Sequence, residues 1–429
     1  MAQINAIIWV IATIFLVVCG LYYTFKLKFV QFNFKKIISS LRKSHSDNNG
    51  ISPFKTLTLS LAARIGVGSL AGIALGIYNG GVGVVFWIWL SSLIILPNSF
   101  VESTLAVIYH EKDGDYYIGG PAYYISKGLK LKKLAIIYAI IVFLCYIGGF
   151  LAIQSNTIAT SIKTYMNISP IITGIIVASV SYLIIFRGLK RIANFTSFMV
   201  PIMGIVYVII ALIVIITKID MIPSIISNII KEAFNFKAFG WGIISSIIIG
   251  FQRGIFSSEA GMGTGAIASG TSDTKYPSKQ GYIQMLGVYF TTFIICTSTV
   301  FVILTSNINF GDFTNPNGIE ITLRALNSHL GVFGTIVLIF TIIAFAFSTI
   351  ISGYYYGESN LKYLDKKMNN KKIHILNIVV AIILFYGAIA NPKILWNTVD
   401  IGAGILAIIN CFSIIMLYNV IKKEVDYDR

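Results

Sequence analysis

The sequence predicts an all-α polytopic membrane protein of about 11 transmembrane helices, on three observations. Of its 429 residues, 56% are hydrophobic and 12% are charged, whereas soluble domains carry about 25% charged residues. The apolar residues gather in runs long enough to cross a bilayer, which takes about 20 residues. The 33 lysines and arginines fall almost entirely between those runs, so the formal charge of +16 reflects membrane orientation and not a nucleic-acid partner.

The runs are 4–25, 54–80, 83–107, 134–157, 170–186, 195–217, 239–268, 281–305, 331–357, 373–390 and 399–421. The first has no basic residue before it and is followed by Lys26 and Lys28. This flank pattern predicts an anchor with its N-terminus outside, not a cleaved signal peptide. With that orientation, 25 basic residues lie in cytoplasmic segments and 6 outside, with Arg64 and Arg253 left within spans. The C-terminus is then cytoplasmic.

The second run is interrupted by Arg64-Ile65-Gly66-Val67-Gly68-Ser69-Leu70-Ala71-Gly72. The third carries Glu102, and the fourth carries Gln154 and Asn156, buried amides that need partners. These two amides can bond substrate or broken backbone, or make ordinary contacts between helices. The fifth and sixth runs are uninterrupted. Met221 to Phe239 is mildly amphipathic and reads as a short interfacial helix.

The seventh run holds the most informative stretch, Gly250 to Gly265, with Arg253, Glu259 and five glycines. A bilayer has no water for unpaired backbone groups, so broken helix at this depth needs a protein or cavity lining. Ionisable groups there mark pathways and are expected to pair. Glu259 is expected to hold the broken region together, with a titrating relay as the alternative. The ninth run carries Ser348 and Thr349, which otherwise simply bond helix carbonyls one turn back. Tyr354 to Tyr356, with Trp87 and Trp89, read as packing or interface anchors, with gating as the other possibility.

The organisation that follows is an extra transmembrane helix at 1–30, a basic cytoplasmic linker at 31–53, five helices at 54–217, and an external linker at 218–238. Five more helices occupy 239–421, and a cytoplasmic tail 422–429. Each five-helix half opens with a glycine-broken helix, and the two enter from opposite sides. Paired breaks of this kind signal an inverted-repeat secondary transporter with its site at the midplane. Half-helix N-termini near Gly68 to Gly72 suit a carboxylate, while the carbonyls of Phe256 to Gly261 suit an ammonium or a cation. Gly66, Gly68, Gly261 and Gly263 suit close approach of a ligand to backbone.

The four cysteines and four histidines are scattered, so neither a disulfide framework nor a metal site beyond a coupling ion is indicated. No enzyme motif, nucleotide loop or cofactor site is present. Heavy use of isoleucine, lysine and asparagine points to an AT-rich prokaryotic genome and so to a prokaryotic plasma membrane.

Several blocks resemble the alanine-or-glycine:cation symporter family. They are 63–72, Gly80 to Trp89, Val101 to Ala106, Gly119 to Ile125, Gln252 to Gly263 and Phe345 to Glu358. The resemblance implies a LeuT-like 5+5 inverted repeat and symport of a small amino acid with sodium; no obligatory protein partner is evident in the sequence, and function as a monomer is expected. It implies substrate contacts at Gly66, Gly68, Ser69, Gln154, Asn156, Phe256, Gly261, Thr349 and Gly353. It implies sodium ligands at Ile65, Gly68, Phe345, Ser348 and Thr349, and structural charges at Arg64, Glu102, Arg253 and Glu259.

This chain departs from the family pattern at Ser69 and Ser258, where asparagine is usual, and at Val82, where proline is usual. It departs also at Thr291, where aspartate is usual, and at Gly353, onto which a pocket tryptophan aligns. The last departure suggests a larger pocket. The lost cation ligands leave proton coupling as an alternative to sodium, and a non-transporting sensor is the reading from another class.

Overall fold

Apolar composition without β-branched alternation makes helices, and helices account for nearly every element. The computed structural model describes residues 2–41, 51–185, 189–235, 241–314 and 316–427. His45, the middle of the basic linker, the loop around Arg187, the start of the second half at 239 and the last two residues of the tail lie outside the described residues.

The first part comprises α1 (Ala2–Lys26), α2 (Phe34–Ser39), α3 (Pro53–Arg64), α4 (Ile73–Gly80), α5 (Val84–Ile108), α6 (Pro121–Lys127), α7 (Lys132–Phe143), α8 (Leu151–Met166), α9 (Pro170–Ile185) and α10 (Leu189–Thr217). The second comprises α11 (Ile222–Ala233), α12 (Trp241–Ser258), α13 (Thr264–Ser269), α14 (Pro277–Tyr289), α15 (Thr297–Leu304), α16 (Ile319–Leu364), α17 (Asn370–Ile389), α18 (Pro392–Met416) and α19 (Tyr418–Tyr427). A small antiparallel hairpin, β1 (Glu111–Asp113) and β2 (Tyr116–Ile118), joins α5 to α6.

Local chemistry sets the starts. Ser52 accepts a hydrogen bond from the Lys55 amide ahead of Pro53, and Asn391 caps α18 ahead of Pro392. Proline at the first helical position loses no useful donor. π-turns at Gly68–Gly72, Leu144–Phe150 and Phe290–Cys296 interrupt three spans, and such turns frequently sit at functional sites. α16 bends at Gly331 (φ 60°, ψ −152°), where the apolar run predicted for this span begins.

Eight described helices are long and apolar enough to cross a membrane, and α3 with Gly68–Gly80, bent by 50°, makes a ninth. Two expected spans fall short of that measure: α9 has only 16 residues, and α12 with α13 is broken at Glu259. The expected amphipathic segment forms α11, whose Ile225, Ile229 and Ala233 are buried.

The two broken helices lie at the centre. α12 packs along α4 and the Gly68–Gly72 turn, α13 packs on α3, and α16 runs beside α3 and α8. α1 lies against α18 and α5. On the hairpin side, the His110 ring stacks on Tyr117 at 4.1 Å and its Nδ1 lies 3.2 Å from the Gly270 carbonyl. Burial lowers the pKa of this imidazole.

Candidate functional site

The first break spans residues 65–67, between α3 and the Gly68–Gly72 turn. Its loosened groups are taken up by a local side chain, Ser69, and by side chains from distant helices. The Val67 amide donates to Gln154 Oε1 (3.3 Å), Ser69 Oγ donates to the Arg64 carbonyl (3.1 Å), and Thr299 Oγ1 donates to the Ser69 carbonyl (2.9 Å). Gly66 permits a close approach: a Cβ there would lie 2.3 Å from Thr349 Oγ1 and 3.4 Å from Gln154 Oε1. A Cβ at Gly68 would lie 2.7 Å from the Phe256 ring.

The second break is Glu259 to Gly263, since α12 remains helical through Ser258. Phe256 therefore belongs to the helix, not to unwound chain as the sequence suggested. Glu259, Gly261 and Gly263 have φ of 54°, 82° and 82°. A glutamate in the left-handed region is uncommon and persists where its surroundings over-determine it. Its carboxylate accepts from Tyr146 Oη (2.5 Å) and Tyr356 Oη (3.4 Å). Glu102 Oε2 accepts from the amides of Gly261 (3.2 Å) and Gly263 (3.1 Å) and from Asn410 Nδ2 (2.8 Å). Tyr138 Oη donates to the Met262 carbonyl (2.7 Å), and Asn410 Nδ2 to that of Gly261 (3.0 Å).

On the α16 flank, four oxygens converge. Thr349 Oγ1 lies 2.8 Å from the Ala62 carbonyl and 3.0 Å from that of Phe345. Ser348 Oγ lies 3.4 Å and 2.9 Å from the same two. The carbonyl of α3 that these two hydroxyls bond is that of Ala62, one turn before Ile65. The cluster adjoins the C-terminal end of α3, where helix dipoles favour a cation.

Beside the breaks runs an aromatic stack. Tyr146 and Phe150 are parallel at 4.5 Å, Phe150 and Phe256 at 4.8 Å, and Trp396 lies 5.0 Å from Phe256. The Arg253 guanidinium sits over the Trp396 ring at 5.1 Å and the Phe256 ring at 5.8 Å. Its Nη2 contacts Asp400 Oδ2 at 2.6 Å, with both side chains buried.

Several expectations are corrected by this geometry. Of the four intramembrane charges singled out, Arg253 forms the salt bridge, and its partner is Asp400, a residue the sequence reading passed over. Asp400 is the lone acid near the start of an otherwise apolar last run, and that isolation was the available signal. Arg64 donates to the Gln284 carbonyl (3.1 Å) and is seated close to Gly265 and Gly287, where a Cβ would lie 2.4 Å from Nη2 and 2.7 Å from Nη1.

Asn156 does not face the breaks; its amide donates to the carbonyls of Gly387 and Ala390 (both 2.9 Å) at the end of α17. Gly261 faces α1 and α5, since a Cβ would meet Leu16 at 2.5 Å and Asn98 at 3.5 Å. Gly353 opens no extra room, because a Cβ there would meet Leu151 at 2.9 Å and Tyr146 at 3.3 Å. Ser258 and Thr291 bond local backbone, Ser258 Oγ accepting from the Ala260 amide (3.4 Å) and Thr291 Oγ1 donating to the Gly287 carbonyl (2.9 Å). Trp89 donates to Thr297 Oγ1 (2.9 Å), and Trp87 packs with Phe86 and Phe234.

Two helices broken at mid-depth, charged groups sealed beside them and an oxygen cluster on a third helix define a secondary transporter coupled to a cation. The chain belongs to the sodium:alanine symporter family, whose model matches residues 1–429. It is a multi-pass membrane protein and a sodium-coupled amino-acid symporter, not an enzyme. Among similar proteins, the amino-acid carrier protein AlsT of Bacillus subtilis is 40% identical over 97% of this chain and 89% of its own length. The sodium/alanine symporter AgcS of Methanococcus maripaludis is 30% identical over 98% of this chain and 95% of its own. The crystal structure of MhsT in complex with L-phenylalanine shares the fold, with a TM-score of 0.61 at 13% identity, covering 87% of this chain and 89% of that one. The LeuT-like architecture expected from the sequence is therefore the fold of this molecule.

Proposed function

We propose that this symporter imports alanine or a similarly small neutral amino acid with sodium, by alternating access between the two breaks. The observation that carries the reading is the convergence of the Ala62 and Phe345 carbonyls with the Ser348 and Thr349 hydroxyls next to Gly66. Neutral oxygens of this kind suit a hard monovalent cation. In binding, the cation replaces the hydroxyl-to-carbonyl hydrogen bonds and ties α16 to α3.

The amino acid binds at the Gly66–Gly68 backbone once the Phe256 ring, which packs directly on Gly68 here, swings aside. Its carboxylate faces the helical N-terminus at Gly68, and its ammonium faces the carbonyl-rich end of α12, complementary to the two dipoles. Leu151 and Tyr146 packed against Gly353 favour a small side chain over a large one. Arg253 and Asp400, capping the aromatic stack, form the external gate.

In this reading the halves are 54–217 and 239–421, the N-terminus is outside, the C-terminus is cytoplasmic, and one chain suffices for transport. Positive charge concentrated in alternate segments supports the orientation. The membrane is a prokaryotic plasma membrane.

The test is uptake of labelled alanine into proteoliposomes. Accumulation that requires an inward sodium gradient, and that glycine competes more strongly than phenylalanine, is the expected result. Equal uptake without sodium removes the coupling. One observation favours a second reading: Glu102 and Glu259 are sealed in the same region as a single guanidinium, Arg64. Uptake that follows a pH gradient in sodium-free buffer would establish that protons drive transport as well as sodium.

A further inference from the structure

The N-terminal helix α1 stands outside the two five-helix halves, and nothing in the reading above gives it a task beyond anchoring. Its contacts are more specific than an anchor requires. One face, with Ile4, Ile7, Ile11, Ile14, Val18 and Phe25, is exposed as a lipid-facing surface should be.

The other face is bonded to α18 at three levels. Trp9 Nε1 donates to the Asp400 carbonyl (3.0 Å), Cys19 Sγ to the Cys411 carbonyl (3.9 Å) and Tyr23 Oη to the Ile414 carbonyl (2.5 Å). Between these levels Leu16 lies against the second break, 2.5 Å from where a Gly261 Cβ would be. Gly20 lets α1 close on α5, with the Ile94 carbonyl 2.2 Å from its Cβ position.

The topmost contact matters most. Asp400 is held at both ends: its backbone carbonyl by Trp9 of α1, and its carboxylate by Arg253 of α12. Trp9 is 1% exposed, so its indole donor has no water to turn to, and breaking this bond leaves the N–H unpaired in an apolar setting. The orientation of Asp400 toward Arg253 is therefore coupled to α1. Arg253 in turn rests on Phe256 and Trp396, the aromatic roof over the breaks.

We infer that α1 is a strut for the external gate, with Trp9 a positioning residue that holds Asp400 where Arg253 can close on it. This inference rests on the reading of Arg253–Asp400 as the external gate. Loss of the Trp9 donor loosens the closed gate and shifts the carrier toward the externally open form. External amino acid then binds more readily, while occlusion and turnover slow.

The test is sodium-driven alanine uptake by Trp9→Phe, Arg253→Gln, the double variant and Ile8→Ala in proteoliposomes. Ile8 packs on Gly404 of α18 without donating a hydrogen bond, so its variant reports loosened packing alone. The expected result for Trp9→Phe is a KM for external alanine lowered about fivefold, the scale of one ordinary hydrogen bond, with kcat falling in parallel. Arg253→Gln shifts KM the same way, the double variant matches Arg253→Gln alone, and Ile8→Ala leaves KM unchanged. Non-additivity of this kind marks two residues acting through one contact.

An unchanged KM in Trp9→Phe, a shift shared by Ile8→Ala, or additive effects in the double variant would overturn the strut. An unchanged KM in Arg253→Gln would instead remove the gate reading on which it rests. Should Trp9→Phe not yield folded protein, replacement of Trp9 by β-(benzothienyl)alanine, which keeps the ring shape and exchanges the indole N–H for sulfur, decides the case: a lowered KM supports the strut, and an unchanged KM sinks it.

Discussion

Thr349 is the residue on which the ion site turns, because it alone touches α3, the Phe345 carbonyl and the space over Gly66. Its hydroxyl lies 2.8 Å from Ala62 and would be 2.3 Å from a Gly66 Cβ. Replacing Thr349 by Val keeps the shape and removes the oxygen. The expected outcome is a sodium half-saturation constant raised about tenfold or more, with alanine KM recovered at saturating sodium; a lost hydrogen bond to a charged group is worth about 1.5–3 kcal/mol. Sodium titrations of alanine uptake measure this directly, and an unchanged sodium dependence would place the ion elsewhere. The residue scale is also where sequence reading ran out. Ser348 and Thr349 stood out as hydroxyls in an apolar run, but that their partner in α3 is the Ala62 carbonyl depends on helix packing, which the sequence does not show. Asn156 and Gly261 stood out just as clearly, yet their partners, the end of α17 for Asn156 and Glu102 with Asn410 for Gly261, came only with the fold.

At the scale of elements, the breaks are held from outside by side chains far away in sequence. Glu102 of α5 accepts through Oε2 from the Gly261 and Gly263 amides of the second break, and Asn410 of α18 donates to the same oxygen. Substituting Glu102 by Leu strands two buried N–H groups, each costing about 1–3 kcal/mol. Thermal unfolding in detergent should show a loss of roughly 2–6 kcal/mol, and Glu102→Gln, which keeps an accepting oxygen, a smaller one. Midpoints equal to wild type in both would mean that the break needs no such anchor. That the helices break was legible, since glycines and charges in apolar runs leave few alternatives. The extent of each break was less so. Phe256 to Ser258 remain helical because the glycines that adopt positive φ are Gly261 and Gly263, while Gly254 sits inside α12 against Ser91. Periodicity does not distinguish a glycine used for packing from one used for turning.

For the whole molecule, the claim is that sodium and a small amino acid stabilise one arrangement in which the broken helices, α16 and the external gate close together. Span lengths, charge asymmetry and paired breaks announced this architecture from the sequence. The link between gate and outer helix was not announced, because it joins Trp9 to Asp400 across 391 positions, and the isolation of the acid does not name its partner. If both ligands act on one closed state, each must raise the affinity of the other by the same factor, as linkage requires. The decisive measurement is equilibrium binding of labelled alanine to purified protein over a sodium series, paired with sodium binding over an alanine series. Equal factors of about 5–150, the usual span of coupling free energies, are predicted. Alanine affinity that stays constant from zero to saturating sodium would contradict the account.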